Sequence, residues 1–288
     1  MRRNIVDNGC PIGIAVLLAV LSLWSCSGSD HSAERVVKEW LGREIVFPDS
    51  MVFTVQGDTV DYNWQDAEYK IVTFVDSAGC TECRLKLPMW HETFETLQAD
   101  ADIALLMIIA DKDTDDIYGI LSRQEFPLPV CVDTKNMMDS LNKFPYADDF
   151  RTFLVDSENR IIAIGNPVTN KGILKFYRQQ MGCTDSNDVL PIIVDRHSSN
   201  VGVVRDPVIT QFEITNTSDS TLVISKVLSS CDCTKAEMSN DVISPGTLER
   251  LNVIQSPDSV SGEFEREINV YFEGYPDFVT FSIRGFMP

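Results

Sequence analysis

Tyr69–Pro88 reads YKIVTFVDSAGCTECRLKLP. Its first eight residues are β-branched, aromatic and otherwise apolar enough to predict a buried strand. A short break, Ser77-Ala78-Gly79, brings the chain to Cys80-Thr81-Glu82-Cys83. From about Cys80 to Gln98 the spacing of Leu85, Met89, Phe94 and Leu97 predicts one apolar face of a helix. The cysteines therefore fall at a turn from a strand into a helix. Three chemistries use two cysteines so spaced: half a zinc site, a structural disulfide, or a pair that exchanges electrons. Compartment and neighbouring residues have to separate them.

Working outward, the N-terminus bears on compartment. Arg2 and Arg3 precede an apolar run, Pro11–Trp24, that is short for a membrane span and suits an export signal. The run ends in Leu23-Trp24-Ser25-Cys26, which resembles a bacterial lipobox with Trp24 where a small residue is usual. Residues 1–25 are thus expected to be a lipoprotein signal peptide, with acylated Cys26 the mature N-terminus and residues 26–44 a polar tether and short helix. The expected location is the bacterial cell envelope, anchored to a membrane through Cys26. The outer membrane is favoured over the inner.

Export changes the cysteine arithmetic. Cys10 leaves with the signal and Cys26 carries lipid. Cys80, Cys83, Cys131, Cys183, Cys231 and Cys233 then meet an oxidising compartment, where disulfides persist. Zinc would need a second ligand pair at suitable spacing, and Cys231-Asp232-Cys233 is too tight for the usual partner. His31, His91 and His197 are scattered. No metal or cofactor is expected, since no phosphate-cradling glycine loop occurs either. A net charge of −19 over 288 residues repels phosphate backbones and argues against nucleic acid as a partner. Oligomeric state is not legible.

Two domains suit this length. Residues 45–182 alternate strand and helix. A hairpin is expected at Met51–Tyr62, strands at Tyr69–Asp76, Ile103–Asp111 and Leu128–Asp133, and helices at Thr114–Phe126 and Met137–Phe144. A second hairpin turns at Ser157-Glu158-Asn159, and a last helix closes on Gly182. Residues 183–189 are polar and turn-rich, a linker. Residues 190–288 lack helical patterning and suggest about seven short strands. The two parts are expected to fold independently.

With Cys80 and Cys83 at a strand-to-helix turn and Pro88 five residues beyond Cys83, residues 45–181 resemble the thioredoxin superfamily. The second half, FPLPVCVD followed by TFLVDSENRIIAIG, is similar to envelope thioredoxin-like proteins. There are departures. Gly79 stands where the family has tryptophan, and Phe74 where it buries an acid. Phe150-Arg151 stands where its cis-proline should precede TFLVD, and Pro145 lies too early to replace it. A peroxiredoxin reading fits less well, with Thr73 at its proline position. Residues 190–285 resemble a bacterial immunoglobulin-like family of unknown function marked by Ser-Cys-Gly-Cys-Thr, present as Ser230-Cys231-Asp232-Cys233-Thr234. The expected fold class is an α/β thioredoxin-like domain followed by an all-β immunoglobulin-like sandwich.

The resemblance implies a thiol–disulfide oxidoreductase in which Cys80 attacks and Cys83 resolves, its partners being protein thiols or disulfides of the envelope. A helix start lowers the energy of a thiolate, and Glu82 works against it, biasing the pair toward reducing its partners. Leu87 is expected to shield Cys83. The rival reading is a non-catalytic binding or assembly module on a degenerate thioredoxin scaffold, which the missing cis-proline favours. Cys231 and Cys233 are read first as a small tight disulfide or two thiols at a strand end. The alternative is a second redox pair served by the first domain, because so small a ring is readily reduced. Cys131 is expected to be inert core, and Cys183 is left undecided between a thiol and a cross-link. Trp90 and Phe94 read as core. The acidic run Asp111, Asp113, Asp115 and Asp116 reads as a solvated loop.

Overall fold

The computed structural model describes residues 30–76, 81–183, 189–258 and 261–288. The signal, Cys26, Cys80 and most of the linker lie outside the described residues. Residues before Trp40 form a unit of their own, described here only by helix α1 (Asp30–Trp40), which carries a Glu34–Lys38 ion pair one turn apart.

From Trp40 onward the chain is one compact unit. Its first part is a seven-stranded sheet in the order β2-β1-β5-β4-β3-β6-β7. Strand β3 (Tyr69–Asp76) lies beside β4 (Ile103–Ala110), parallel to it, and β4 is parallel to β5 (Val130–Val132). On the other side β3 pairs antiparallel with β6 (Thr152–Val155), which pairs antiparallel with β7 (Ile161–Ile164). The hairpin β1 (Phe53–Val55) and β2 (Asp58–Val60) caps the far edge through β5. Every residue of β4 is buried, as a parallel strand covered on both faces should be. A parallel strand–helix–strand unit continued by an antiparallel hairpin and a closing helix is the thioredoxin-like arrangement.

The helix expected from Cys80 to Gln98 is two helices. Helix α2 (Thr81–Leu85) stops at Lys86, whose φ of 50° is left-handed, and α3 (Leu87–Asp100) starts with Pro88 in its first turn. Proline lacks the N–H that would bond back to residue 84, and the break falls two residues before it. Helices α4 (Thr114–Arg123), α5 (Met137–Asn142) and α6 (Lys171–Gln180) complete this part. The acidic run at 111–116 supplies a cap: the Asp113 carboxylate accepts from Asp116 N–H at the head of α4. Gly182, at φ 73°, ends α6 in the left-handed conformation that only glycine adopts freely.

The second part is a sandwich of nine strands, more than the seven expected. One sheet runs β12 (Thr234–Met238), β14 (Leu248–Gln255), β10 (Val208–Asn216), β8 (Ile192–Val194). The other runs β13 (Val242–Ile243), β11 (Leu222–Ser229), β15 (Gly262–Phe272), β16 (Phe278–Met287), β9 (Ser198–Val203). A common core joins them, with Phe212, Leu251 and Val253 from the first sheet against Ile224, Val270 and Phe281 from the second.

The two parts share apolar packing. Tyr271 and Phe278 of the sandwich belong to the same buried cluster as Met89, Trp90, Phe94 and Tyr177. Asn269, fully buried, donates to Val168 O at 2.7 Å, and Thr280 donates to Thr169 O at 3.3 Å. Ion pairs Lys86–Glu267 and Lys226–Glu92 flank the contact.

Candidate functional site

Cys83 lies in the first turns of α2, 6% exposed, directly after the central strand β3. It is disulfide-bonded, and Cys80, its neighbour in the motif, falls outside the described residues. Leu85 and Leu87 beside it are buried. The Glu82 carboxylate is paired: it accepts from Arg123 at 3.0 Å and from Gln124 at 2.9 Å. That pairing offsets the carboxylate effect expected from sequence.

The position before β6 is filled by Arg151, with no cis peptide among the described residues. Its guanidinium donates to Asp76 and to Pro145 O, and Arg84 donates to Asp76 and Asp148. A balanced network of two arginines and two aspartates therefore occupies the head of β6. Phe74 beneath it is buried and packs on Phe144 at 4.8 Å between ring centroids.

Cys231 and Cys233 are joined by a disulfide. It forms the turn where the chain leaves the five-stranded sheet at the end of β11 and enters the four-stranded sheet at β12. Main-chain bonds pin this turn: Thr234 N–H to Cys231 O, Ser256 N–H to Cys233 O, and Ser230 N–H to Glu267 O. Thr234 donates to Gln255 at 2.7 Å, and its hydroxyl lies 3.7 and 3.8 Å from the two sulfurs. Asp232 is exposed and outside the left-handed region, so glycine's freedom is not needed there.

The fold then brings together what the sequence kept apart. The sulfurs of Cys83, Cys231 and Cys233 all lie within 4.8 Å of one another. Zinc was set aside for want of a second cysteine pair near the first, and spatially there is one. A cavity of about 300 Å³ beside them is lined by Glu82, Cys83, Arg123, Cys231, Asp232 and Cys233 among others. A second, of about 400 Å³, has Cys83, Arg84, Lys86 and Arg266 in its wall. Burial raises the Asp232 carboxyl pKa, Glu82 raises it further, and Arg123 opposes both. Arg266 was not singled out from sequence. It is 5% exposed, donates from Nε to Cys233 Sγ at 3.4 Å, and lies 3.5 Å from Asp258. Nothing marks one arginine in a strand as a sulfur partner before the strand is paired.

The other thiols differ. Cys131 is buried in β5, and desolvation, with a smaller push from Asp133, raises its pKa to about 11. It is the inert core residue expected. Cys183 is half-buried and has its sulfur 4.0 Å from Asp100 O.

Comparison with known proteins adds the following. Residues 192–287 match a family model described as a protein of unknown function (DUF1573). No curated protein matches the chain. Among solved structures, a protein of unknown function from Porphyromonas gingivalis W83 is 12% identical with a TM-score of 0.31, covering 35% of this chain and 50% of its own. The present chain thus spans half the length of that protein. A candidate thiol–disulfide oxidoreductase from Bacteroides vulgatus is 16% identical, covers 48% of this chain and 91% of its own, and has a TM-score of 0.38. The thioredoxin domain of a thiol–disulfide oxidoreductase from the same organism is 19% identical, with 48% and 97% covered and a TM-score of 0.36.

Proposed function

We propose that this chain is a lipid-anchored cell-envelope thiol–disulfide oxidoreductase that reduces protein disulfides through Cys80 and Cys83. The observation that carries the reading is Cys83 itself: disulfide-bonded, 6% exposed, at the head of the helix that follows the central strand of a thioredoxin-like sheet. In that role Cys80 attacks a partner disulfide and Cys83 resolves the mixed disulfide. The anchor and the envelope location rest on Arg2, Arg3, the Pro11–Trp24 run and Cys26. Among the described residues no helix is long and apolar enough to cross a membrane.

The second reading, a binding or assembly module on a degenerate scaffold, is favoured by Arg151 and its tie to Asp76 where a groove-shaping proline would stand. Trapping separates the two. Cys83→Ser should accumulate mixed disulfides with envelope proteins through Cys80, and Cys80→Ser should not. If neither variant traps a partner, and a thioredoxin-like donor cannot reduce the wild-type pair, the scaffold reading replaces the catalytic one. For the anchor, intact mass of the mature protein should show acyl chains on Cys26, whereas a soluble product starting at another residue rules the lipoprotein out.

A further inference from the structure

We infer that Cys231–Cys233 is an internal redox partner of Cys80–Cys83, so that the sandwich exchanges disulfides with the α/β part of its own chain. This rests on the thiol–disulfide reading above and adds a second pair to it. Three observations converge. The sulfurs need only close from at most 4.8 Å to the roughly 2.05 Å of a disulfide bond. The sandwich turn is held rigidly in place by Thr234, Gln255 and three main-chain bonds. Arg266 donates to Cys233 Sγ, and a cation there stabilises a departing thiolate.

These fix the order of bonds. With the first pair reduced, the Cys83 thiolate attacks Cys231 Sγ. The Cys231–Cys233 bond breaks, and Cys233 leaves as a thiolate against Arg266. Cys80, as thiolate, then attacks Cys83 Sγ, forming Cys80–Cys83 and releasing Cys231 as a thiolate. Two electrons pass to the sandwich pair, and the two protons given up by Cys80 and Cys83 are taken up by Cys231 and Cys233. A dithiol protein of the thioredoxin type regenerates the first pair. Arg266 also opposes metal capture by the same sulfurs, because its positive charge on Cys233 Sγ repels an incoming cation.

The test treats the oxidised full chain with a reduced thioredoxin-type dithiol protein, quenches in acid, alkylates and maps the peptides. In wild type both disulfides should disappear. In Cys80→Ser/Cys83→Ser, donor-driven loss of Cys231–Cys233 should fall to the donor-free background. Cys80→Ser/Cys233→Ser, prepared reduced and given oxidised glutathione as the oxidant in place of the donor, should accumulate a Cys83–Cys231 bond within one chain with release of two glutathione thiols, near-UV circular dichroism checking the fold. If the first pair is reduced while Cys231–Cys233 stays oxidised, the relay is overturned and the Cys80–Cys83 reading stands. Equally fast reduction of Cys231–Cys233 in Cys80→Ser/Cys83→Ser has the same meaning. If the donor reduces neither pair in wild type, both readings fall. Stoichiometric zinc on the reduced wild-type chain, with the Cys80, Cys83, Cys231 and Cys233 thiols then unreactive and no exchange, overturns the relay in favour of a metal site.

Discussion

The two cysteine pairs sit in opposite kinds of surroundings. Cys83 lies in a short helix after the buried strand β3, between Glu82, which is paired with Arg123, and Arg84, which is paired with Asp76 and Asp148. Cys231–Cys233 sits in a turn between the two sheets of the sandwich with the Arg266 guanidinium on one sulfur. Of the first pair, Cys83 has the buried place at a helix start and in the wall of a cavity. The second has the electrostatics of a leaving group without a helix. Placing reactivity by fold family alone would assign all of it to the first pair, and the sulfur distances argue for treating the two together.

The strongest way to break the comparison is to delete one side of it. Cys80→Ser/Cys83→Ser should bring donor-dependent disulfide turnover to background. Retained turnover would mean that the sandwich pair works alone. The comparison also needs the two regions to stay docked. Phe278 is 1% exposed in the shared cluster, so Phe278→Ala should cost about 3–5 kcal/mol in denaturant unfolding. A cost near zero would show that the shared core contributes little. Division of the chain at 183–189 is proposed, and limited proteolysis should cut there first. The expected product is a nicked species whose halves co-elute, and halves that separate would show weak docking.

A smaller effect sharpens the electrostatic contrast. Arg266→Gln should slow alkylation of Cys233 in the reduced protein, by roughly tenfold near neutral pH, and leave alkylation of Cys80 unchanged. The charged groups facing Cys233 are Arg266, Asp258, Asp232, Glu82 and Arg123. The pH profile of alkylation in the reduced protein reads this, and an unmoved profile would remove Arg266 from the chemistry. The smallest expected change concerns Cys131. A thiol raised to about 11 stays protonated until pH passes that value. Iodoacetamide at pH near 8 should therefore spare Cys131 in the native chain and label it once the chain is unfolded, while labelling in the native chain would contradict the buried strand.

Much of this was legible in the sequence, for physical reasons. Continuous apolar runs gave β3 and β4, because parallel strands are buried on both faces. Ser157-Glu158-Asn159 gave the hairpin. The break itself at Lys86 was not legible, since a lysine in the left-handed conformation carries no compositional cue. Strand β9, Ser198–Val203, was missed because it is a polar edge strand whose parallel pairing with β16 is invisible locally. The sulfur cluster was out of reach for a related cause. It depends on Asn269, Tyr271 and Phe278 docking against residues far away in sequence, and each of them reads as ordinary strand composition.

The clamp made by Asn269 on Val168 O and Thr280 on Thr169 O has a kinetic consequence. It fixes the second pair at a local effective concentration set by geometry, whatever the number of molecules in solution. A step between the two pairs is then first-order, and diluting the protein leaves its rate constant alone. Reactions with outside partners slow in proportion to dilution. A docked appendage of this kind makes the chain its own first collision partner.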